Sequence, residues 1–169
     1  MAGILDPFIT ELEQEAEKTR VVLERIPADK IGWKPHDKSM SLGQLGLHVA
    51  TTPGNVAQLL TADGFNLEDA DFTQTSPTSV DELLPALEQS LAAAKDRLSS
   101  WDDEAAGAAW SLMRNGETIS TVPRVAMIRS LMLNHWYHHR GQLCVYLRLL
   151  DIPVPSVYGP SADENPFAG

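Results

Sequence analysis

Basic residues and cysteines are scarce in this chain, and long apolar runs are absent. Its 169 residues include 13 Lys and Arg against 23 Asp and Glu, which gives a formal net charge of -10. Contacts to phosphates need clustered Lys and Arg, and no such cluster occurs, so we predict no nucleic-acid partner. The single cysteine, Cys144, cannot form an intramolecular disulfide and fits a reducing compartment.

The sequence also gives no sign of membrane insertion or export. No stretch approaches the roughly 20 apolar residues of a membrane span, and the N-terminus lacks the basic and apolar regions of a signal peptide. We therefore expect a soluble, cytoplasmic protein with no membrane partner. Because 169 residues with 43% hydrophobic content suffice for one core, we predict one domain over residues 1–169.

Four stretches have the three-and-four spacing of amphipathic helices. Asp6, as N-cap before Pro7, is typical of the start of the first. Ser41 with Gln44, and Ser79 with Glu82, have the spacing of a capping box at the starts of the second and third. The predicted buried stripes are Ile9, Leu12, Ala16, Thr19, Leu23 and Ile26; Leu45, His48, Thr52, Val56 and Leu59; and Val80, Leu84, Leu87, Leu91, Ala94, Leu98 and Trp101. Pro53 and Gly54 weaken the second helix.

The segments between and after these helices predict the topology. Residues 62–78 are acidic and rich in Thr, Ser, Gly and Pro, which favours a long crossover loop. Asn115-Gly116 separates two short runs that could pair as a hairpin. Thr121 and Pro123 suit the start of the last helix, and the tail from Asp151 should be irregular. We predict an all-α fold: a four-helix bundle with one long crossover loop and a short hairpin before the last helix.

Histidines interrupt the predicted buried stripe of the last helix, which comprises Val125, Ile128, Met132, His135, His139, Leu143, Tyr146 and Leu150. A divalent cation would satisfy both His135 and His139, whereas the alternative is a chance pair of hydrogen-bonded core histidines. His48 is the candidate third ligand, because it lies on the core-facing stripe of the second helix. His36 follows a loop motif, and His138 lies about 100° around the helix from His139.

These residues resemble a known family. Ser41-Leu42-Gly43-Gln44-Leu45-Gly46-Leu47-His48, preceded by Trp33-Lys34-Pro35 and followed by His135-x-x-x-His139-Arg140-Gly141-Gln142-Leu143, is similar to the DinB/YfiT-like superfamily, as is the tail from Tyr158. The resemblance implies a four-helix bundle that binds a divalent metal, commonly nickel or zinc, through His48, His135 and His139. It also implies thiol-dependent transferases among the relatives, and a homodimer as a candidate assembly.

Three histidine ligands would leave a coordination position open, as catalytic metal sites do. Our leading hypothesis is metal-dependent transfer of a low-molecular-weight thiol to an electrophilic small molecule. One alternative is a metal-dependent hydrolase, whose base could come from Glu13 or Glu15 of the first helix. The other is a non-catalytic bundle that the metal stabilises, serving as a binding or structural module.

Five further residues have two interpretations each. Gln44 and Gln142 could orient the imidazoles or could cap and solvate helix ends. Trp33 and Trp136 could line a substrate pocket, although large aromatics near a bundle core usually serve packing. Arg140 could meet an anionic substrate at the mouth of the site or extend to solvent.

Overall fold

The computed structural model describes residues 3–71, 73 and 75–167 of the chain. Within them, four long helices form a bundle, and a short helix precedes a hairpin. The first four helices are α1 (Asp6–Leu23), α2 (Leu42–Leu59), α3 (Leu83–Ser99) and the short α4 (Asp103–Gly107). The last helix, α5, comprises an α-helical turn (Arg124–Met127), a π-helical segment (Ile128–Asn134) and a longer α-helix (His135–Leu149). No described helix is long and apolar enough to cross a membrane.

The predicted helix starts are largely confirmed. Ser41 Oγ accepts from the Gln44 backbone N–H, and the Gln44 side chain accepts from the Ser41 backbone N–H, so α2 has its capping box. Ser79 and Glu82 form the second box around a 3₁₀ turn that leads into α3. The predicted start of α1 was wrong by one residue, because Leu5 is the N-cap and Asp6 is the first helical residue.

The fold class needs a correction, since the structure contains a three-stranded sheet beside its helices. The strands are β1 (Gly64–Asn66), β2 (Ala109–Arg114) and β3 (Glu117–Pro123), in the order β1-β2-β3. The hairpin of β2 and β3 was predicted, and Asn115 and Gly116 both have positive φ at its turn. The parallel strand β1 lies in the predicted crossover loop. Its first residue is close to β2, since a Cβ on Gly64 would lie 2.4 Å from the Ser111 carbonyl oxygen.

Pro53 and Gly54 lie inside α2 without ending it. The Gly54 backbone N–H donates to Ser90 Oγ on α3 at 2.8 Å. A Cβ at position 54 would lie 2.9 Å from Ser90 Cα, so glycine permits the close approach of the two helices. Gly54, which weakens the prediction of a helix from the sequence, therefore serves the packing of α2 against α3.

The π-helical segment changes which face of α5 meets the core. A π-helix has wider, i→i+5 turns, so the core-facing position moves along by one residue after it. Trp136 and Arg140, rather than His135 and His139, are buried. The buried positions of α5 are Arg124, Ile128, Met132, Leu133, Trp136, Arg140, Leu143 and Leu147. The prediction of full burial was wrong for five positions, which are half-buried: Val125, His135, His139, Tyr146 and Leu150.

Candidate metal centre

Three histidines from two helices lie together where α2 faces α5. His48 comes from the middle of α2, and His135 and His139 from the first turns of the α-helix after the π-helical segment. Each offers one ring nitrogen, and these atoms all lie within 4.8 Å of one another. The Nε2 atoms of His48 and His135 are 3.1 Å apart. Among the described residues, no carboxylate or thiol belongs to this cluster.

The environment keeps these three rings neutral at pH 7. Burial, followed by the neighbouring His135, lowers the pKa of His48. Burial, followed by His138, likewise lowers the pKa of His135. Burial, together with His48 and His135, lowers the pKa of His139 to about 4. Neutral imidazoles have a free lone pair on one ring nitrogen, which is the form that binds metal ions.

Gln142 fixes the tautomer of His139. Its Oε1 lies 2.7 Å from Nδ1 of His139, and an amide oxygen can only accept, so Nδ1 must carry the proton. Nε2 is then the nitrogen with the lone pair. Of the two interpretations of Gln142, the structure supports the orienting one. Gln44, by contrast, accepts from the Ser41 backbone N–H as part of the helix cap.

The donor set fits a divalent cation. Zinc–nitrogen bonds are about 2.0–2.1 Å long, so two imidazole nitrogens on one tetrahedral ion lie roughly 3.3 Å apart. The 3.1 Å between Nε2 of His48 and of His135 is close to that separation. A ligand histidine commonly donates its other ring N–H to an oxygen, as His139 does to Gln142. The three histidines could therefore hold a metal ion.

A polar groove of about 480 Å³ borders this cluster. His48, Thr51 and Asn55 line it from α2, and Asp71 and Thr73 line it from the segment after β1. No Lys or Arg is among the described residues that line the groove. Neither the groove nor its carboxylate, Asp71, was foreseen, because the segment that supplies this acid has no periodic pattern.

Arg140 neither lines this groove nor extends to solvent, so both interpretations of it were wrong. Its side chain is 2% exposed. Nη2 lies 2.5 Å from Glu15 Oε2 and donates to the Tyr158 hydroxyl, while Nη1 donates to Thr19 Oγ1. The Tyr158 hydroxyl in turn donates to Glu15 at 2.6 Å. Arg140 therefore ties α5 to α1 and to the C-terminal tail.

The remaining candidate residues do not belong to the histidine cluster. Glu15 is bound to Arg140, and Glu13 forms an exposed ion pair with Lys95 of α3, so neither acid of α1 faces the site. Trp136 is fully buried and Trp33 packs edge-on against Tyr146, which confirms packing roles.

Three other residues singled out by the sequence also lie outside the cluster. His36 and His138 are both exposed. Cys144 is half-buried, and burial raises the pKa of its thiol, as expected of an unreactive cysteine.

Comparison with known proteins agrees with this architecture. The family model described as DinB family matches residues 1–166. The chain belongs to the DinB family. The protein YrdA of Bacillus subtilis (strain 168) is 25% identical over 167 residues, which are 97% of this chain and 93% of YrdA.

Two solved DinB-like structures share the fold. One, from Bacillus cereus ATCC 10987, has a TM-score of 0.71 at 22% identity and covers 94% of this chain and 100% of its own. Another, YjoA from Bacillus subtilis, has a TM-score of 0.66 at 20% identity and covers 90% of this chain and 98% of its own. The resemblance inferred from the motifs is thus confirmed for both family and fold.

Proposed function

We propose that this DinB-family protein is a metal-dependent transferase that activates a low-molecular-weight thiol for transfer to an electrophilic small molecule. His48, His135 and His139 would hold the cation, with zinc or nickel as the first candidates because imidazole suits both. The observation that carries the proposal is the convergence of these three neutral rings without a carboxylate or thiol among the described residues.

The chemistry follows from the number of ligands. Three protein ligands leave a position for a small molecule, and a divalent cation there would lower the pKa of a thiol or water that it binds. The chain's own residues hold and orient the ligands. Gln142 keeps the proton of His139 on Nδ1, and Trp136 fixes the rotation of α5 through its hydrogen bond to the Val49 carbonyl. The polar groove beside His48 gives the second substrate a place next to the cluster.

Asp71 favours a second candidate, a metal-dependent hydrolase. This acid shares the groove with His48, and a carboxylate near the metal is what a hydrolase needs as general base. Hydrogen bonds from Thr73, from its side chain first and then from its backbone N–H at 2.8 Å, hold the pKa of Asp71 below the usual range. A weak base of this kind favours the transferase over the hydrolase.

The test is metal analysis followed by two assays on the loaded protein. Near one zinc or nickel per chain is expected, with consumption of a thiol such as glutathione or cysteine in the presence of an electrophile such as maleate. The hydrolase would be supported instead if the wild type hydrolysed an ester and transferred no thiol, and if the Asp71→Asn variant lost the ester hydrolysis. A protein that takes up no zinc, nickel or cobalt would overturn both, and would contradict the non-catalytic metal-stabilised bundle as well.

A homodimer and a cytoplasmic location complete the proposal. Val145 and Leu149 are exposed apolar residues on α5, and apolar helix faces often pair between chains. Size-exclusion chromatography with light scattering gives the mass directly. A monomer at all concentrations would contradict the dimer without affecting the metal site.

A further inference from the structure

One hydrogen bond joins the two helices beside the metal histidines, and its acceptor exists because of Pro53. In an α-helix the backbone N–H of residue 53 would donate to the carbonyl of Val49. Proline has no N–H, so that carbonyl has no donor within α2. The indole Nε1–H of Trp136 donates to it instead at 2.8 Å.

The position of this bond ties it to the metal centre. Val49 follows His48 on α2, and Trp136 follows His135 on α5. Val49 and Trp136 are both fully buried, so water cannot replace either partner if the bond breaks. Any shift of α5 along α2 would break the bond and would also change the distance between His48 and His135.

We propose that Pro53, Val49 and Trp136 are positioning residues that set the spacing of the metal ligands across α2 and α5. Pro53 leaves the Val49 carbonyl free, and Trp136 uses that carbonyl to fix the height and rotation of α5. The inference rests on the proposed function, because its readout is the affinity for metal.

A second tryptophan provides a matched control. Trp110 is 1% exposed, as deeply buried as Trp136, but its Nε1 has no hydrogen-bond partner among the described residues. Trp110→Phe therefore removes a similar volume from the core, together with an N–H that makes no hydrogen bond among the described residues. Trp136→Phe removes the same atoms together with the bond to Val49.

The decisive comparison uses Trp136→Phe with and without Pro53→Ala. In Trp136→Phe the Val49 carbonyl has no donor, whereas in the double variant the alanine that replaces Pro53 supplies a backbone N–H that can satisfy it. We expect the melting temperature of the metal-free double variant to rise above that of Trp136→Phe. Its zinc affinity should nevertheless remain low, because α5 is still not docked.

The measurements are the dissociation constant for zinc by titration calorimetry, the melting temperature of the metal-free protein, and the visible spectrum of the cobalt(II) form. We expect Trp136→Phe and the double variant to bind zinc about tenfold more weakly than the wild type, with an altered cobalt spectrum. Trp110→Phe should stay within about twofold, with the wild-type spectrum.

Two outcomes would overturn the inference alone while the proposed function stands. The first is wild-type zinc affinity in Trp136→Phe. The second is recovery of affinity together with melting temperature in the double variant, which would show that Trp136 contributes stability and not ligand spacing. If the wild type binds neither zinc nor cobalt, the proposed function and this inference are both overturned.

Discussion

Helix α5 carries two polar clusters, one facing α2 and one facing α1, and only the second contains charges of both signs. Toward α1, Arg140 is paired with Glu15 and bonded to Thr19 and Tyr158. Toward α2, three neutral imidazoles converge with no carboxylate among the described residues. The cluster facing α1 is paired within the chain, whereas the three ring nitrogens of the cluster facing α2 could hold a metal ion.

The comparison separates stability from function on a single helix. A buried guanidinium and carboxylate stabilise each other only while both are present, since either alone is a buried unpaired charge. Neutral imidazoles carry no net charge, so a ring without a partner costs less than an unpaired buried ion. We therefore expect variants in the Arg140 cluster to change the free energy of unfolding, and variants in the histidine cluster to change metal binding.

The largest expected effect is on metal content. In a His135→Ala, His139→Ala variant, zinc should fall from near one per chain to near zero by elemental analysis. Zinc at about a hundred times its dissociation constant should add roughly 2.7 kcal/mol to the unfolding free energy of the wild type and nothing to that of the variant. The exposed histidines supply the control, because a His36→Ala, His138→Ala variant should retain the metal. Full zinc content in the first variant would contradict the site.

Breaking the other cluster should have the opposite signature. Arg140→Met leaves Glu15 buried without its guanidinium, which should lower the unfolding free energy by about 3 kcal/mol in urea titrations. Zinc content should stay near one per chain. Lys95→Met, which breaks the exposed pair with Glu13, should cost less than about 1 kcal/mol. Equal costs for the two variants would show that the buried network is not the main tie between α5 and α1.

A smaller effect is expected from the residue that orients His139. Gln142→Ala removes the acceptor for the Nδ1 proton, so zinc affinity should fall about tenfold, with little change in the stability of the metal-free protein. Gln14→Ala, an exposed glutamine on α1, should leave the affinity unchanged. Retention of full affinity in Gln142→Ala would mean that the 2.7 Å contact does not support the ligand.

The histidine cluster could be predicted from the sequence because its spacing is local. His135 and His139 are one turn apart in any α-helix, and His48 stood out as a polar residue on an apolar stripe. The capping boxes of α2 and α3 and the Asn115-Gly116 turn were predictable for the same reason, since each depends on residues within a few positions of each other.

What the sequence did not predict depends on contacts between distant segments. The amino-acid composition of the π-helical segment Ile128–Asn134 does not distinguish it from an α-helix. The prediction therefore assumed an uninterrupted α-helix and placed His139 in the core, where Arg140 lies. The partner of Arg140 is 125 residues away on α1, so its ion pair could not be read from spacing. Strand β1 consists of three residues and is defined only by its pairing with β2. Among these contacts between distant segments, only the hydrogen bond from Trp136 to the Val49 carbonyl has a signal in the sequence. That signal is Pro53, since a proline inside a helix leaves a carbonyl that needs another donor.

The smallest expected effect is the pH dependence of the Arg140 cluster, measured on metal-free protein. Burial raises the pKa of Glu15, but hydrogen bonds from Lys18, Tyr158 and Arg140 outweigh it, so the pKa lies below the usual 4.5. A carboxyl whose folded pKa is depressed contributes stability above its unfolded pKa and loses it as the pH falls through the folded value.

The difference in unfolding free energy between the wild type and Glu15→Gln should therefore be constant above about pH 5 and shrink below about 4.5, because only the wild type has this carboxyl to protonate. Urea titrations at several pH values from neutral to about 3 measure this difference. A difference that stays constant across the acid range would mean that Glu15 keeps its ordinary pKa, and that the cluster facing α1 is held by packing of Arg140 and Tyr158 more than by charge.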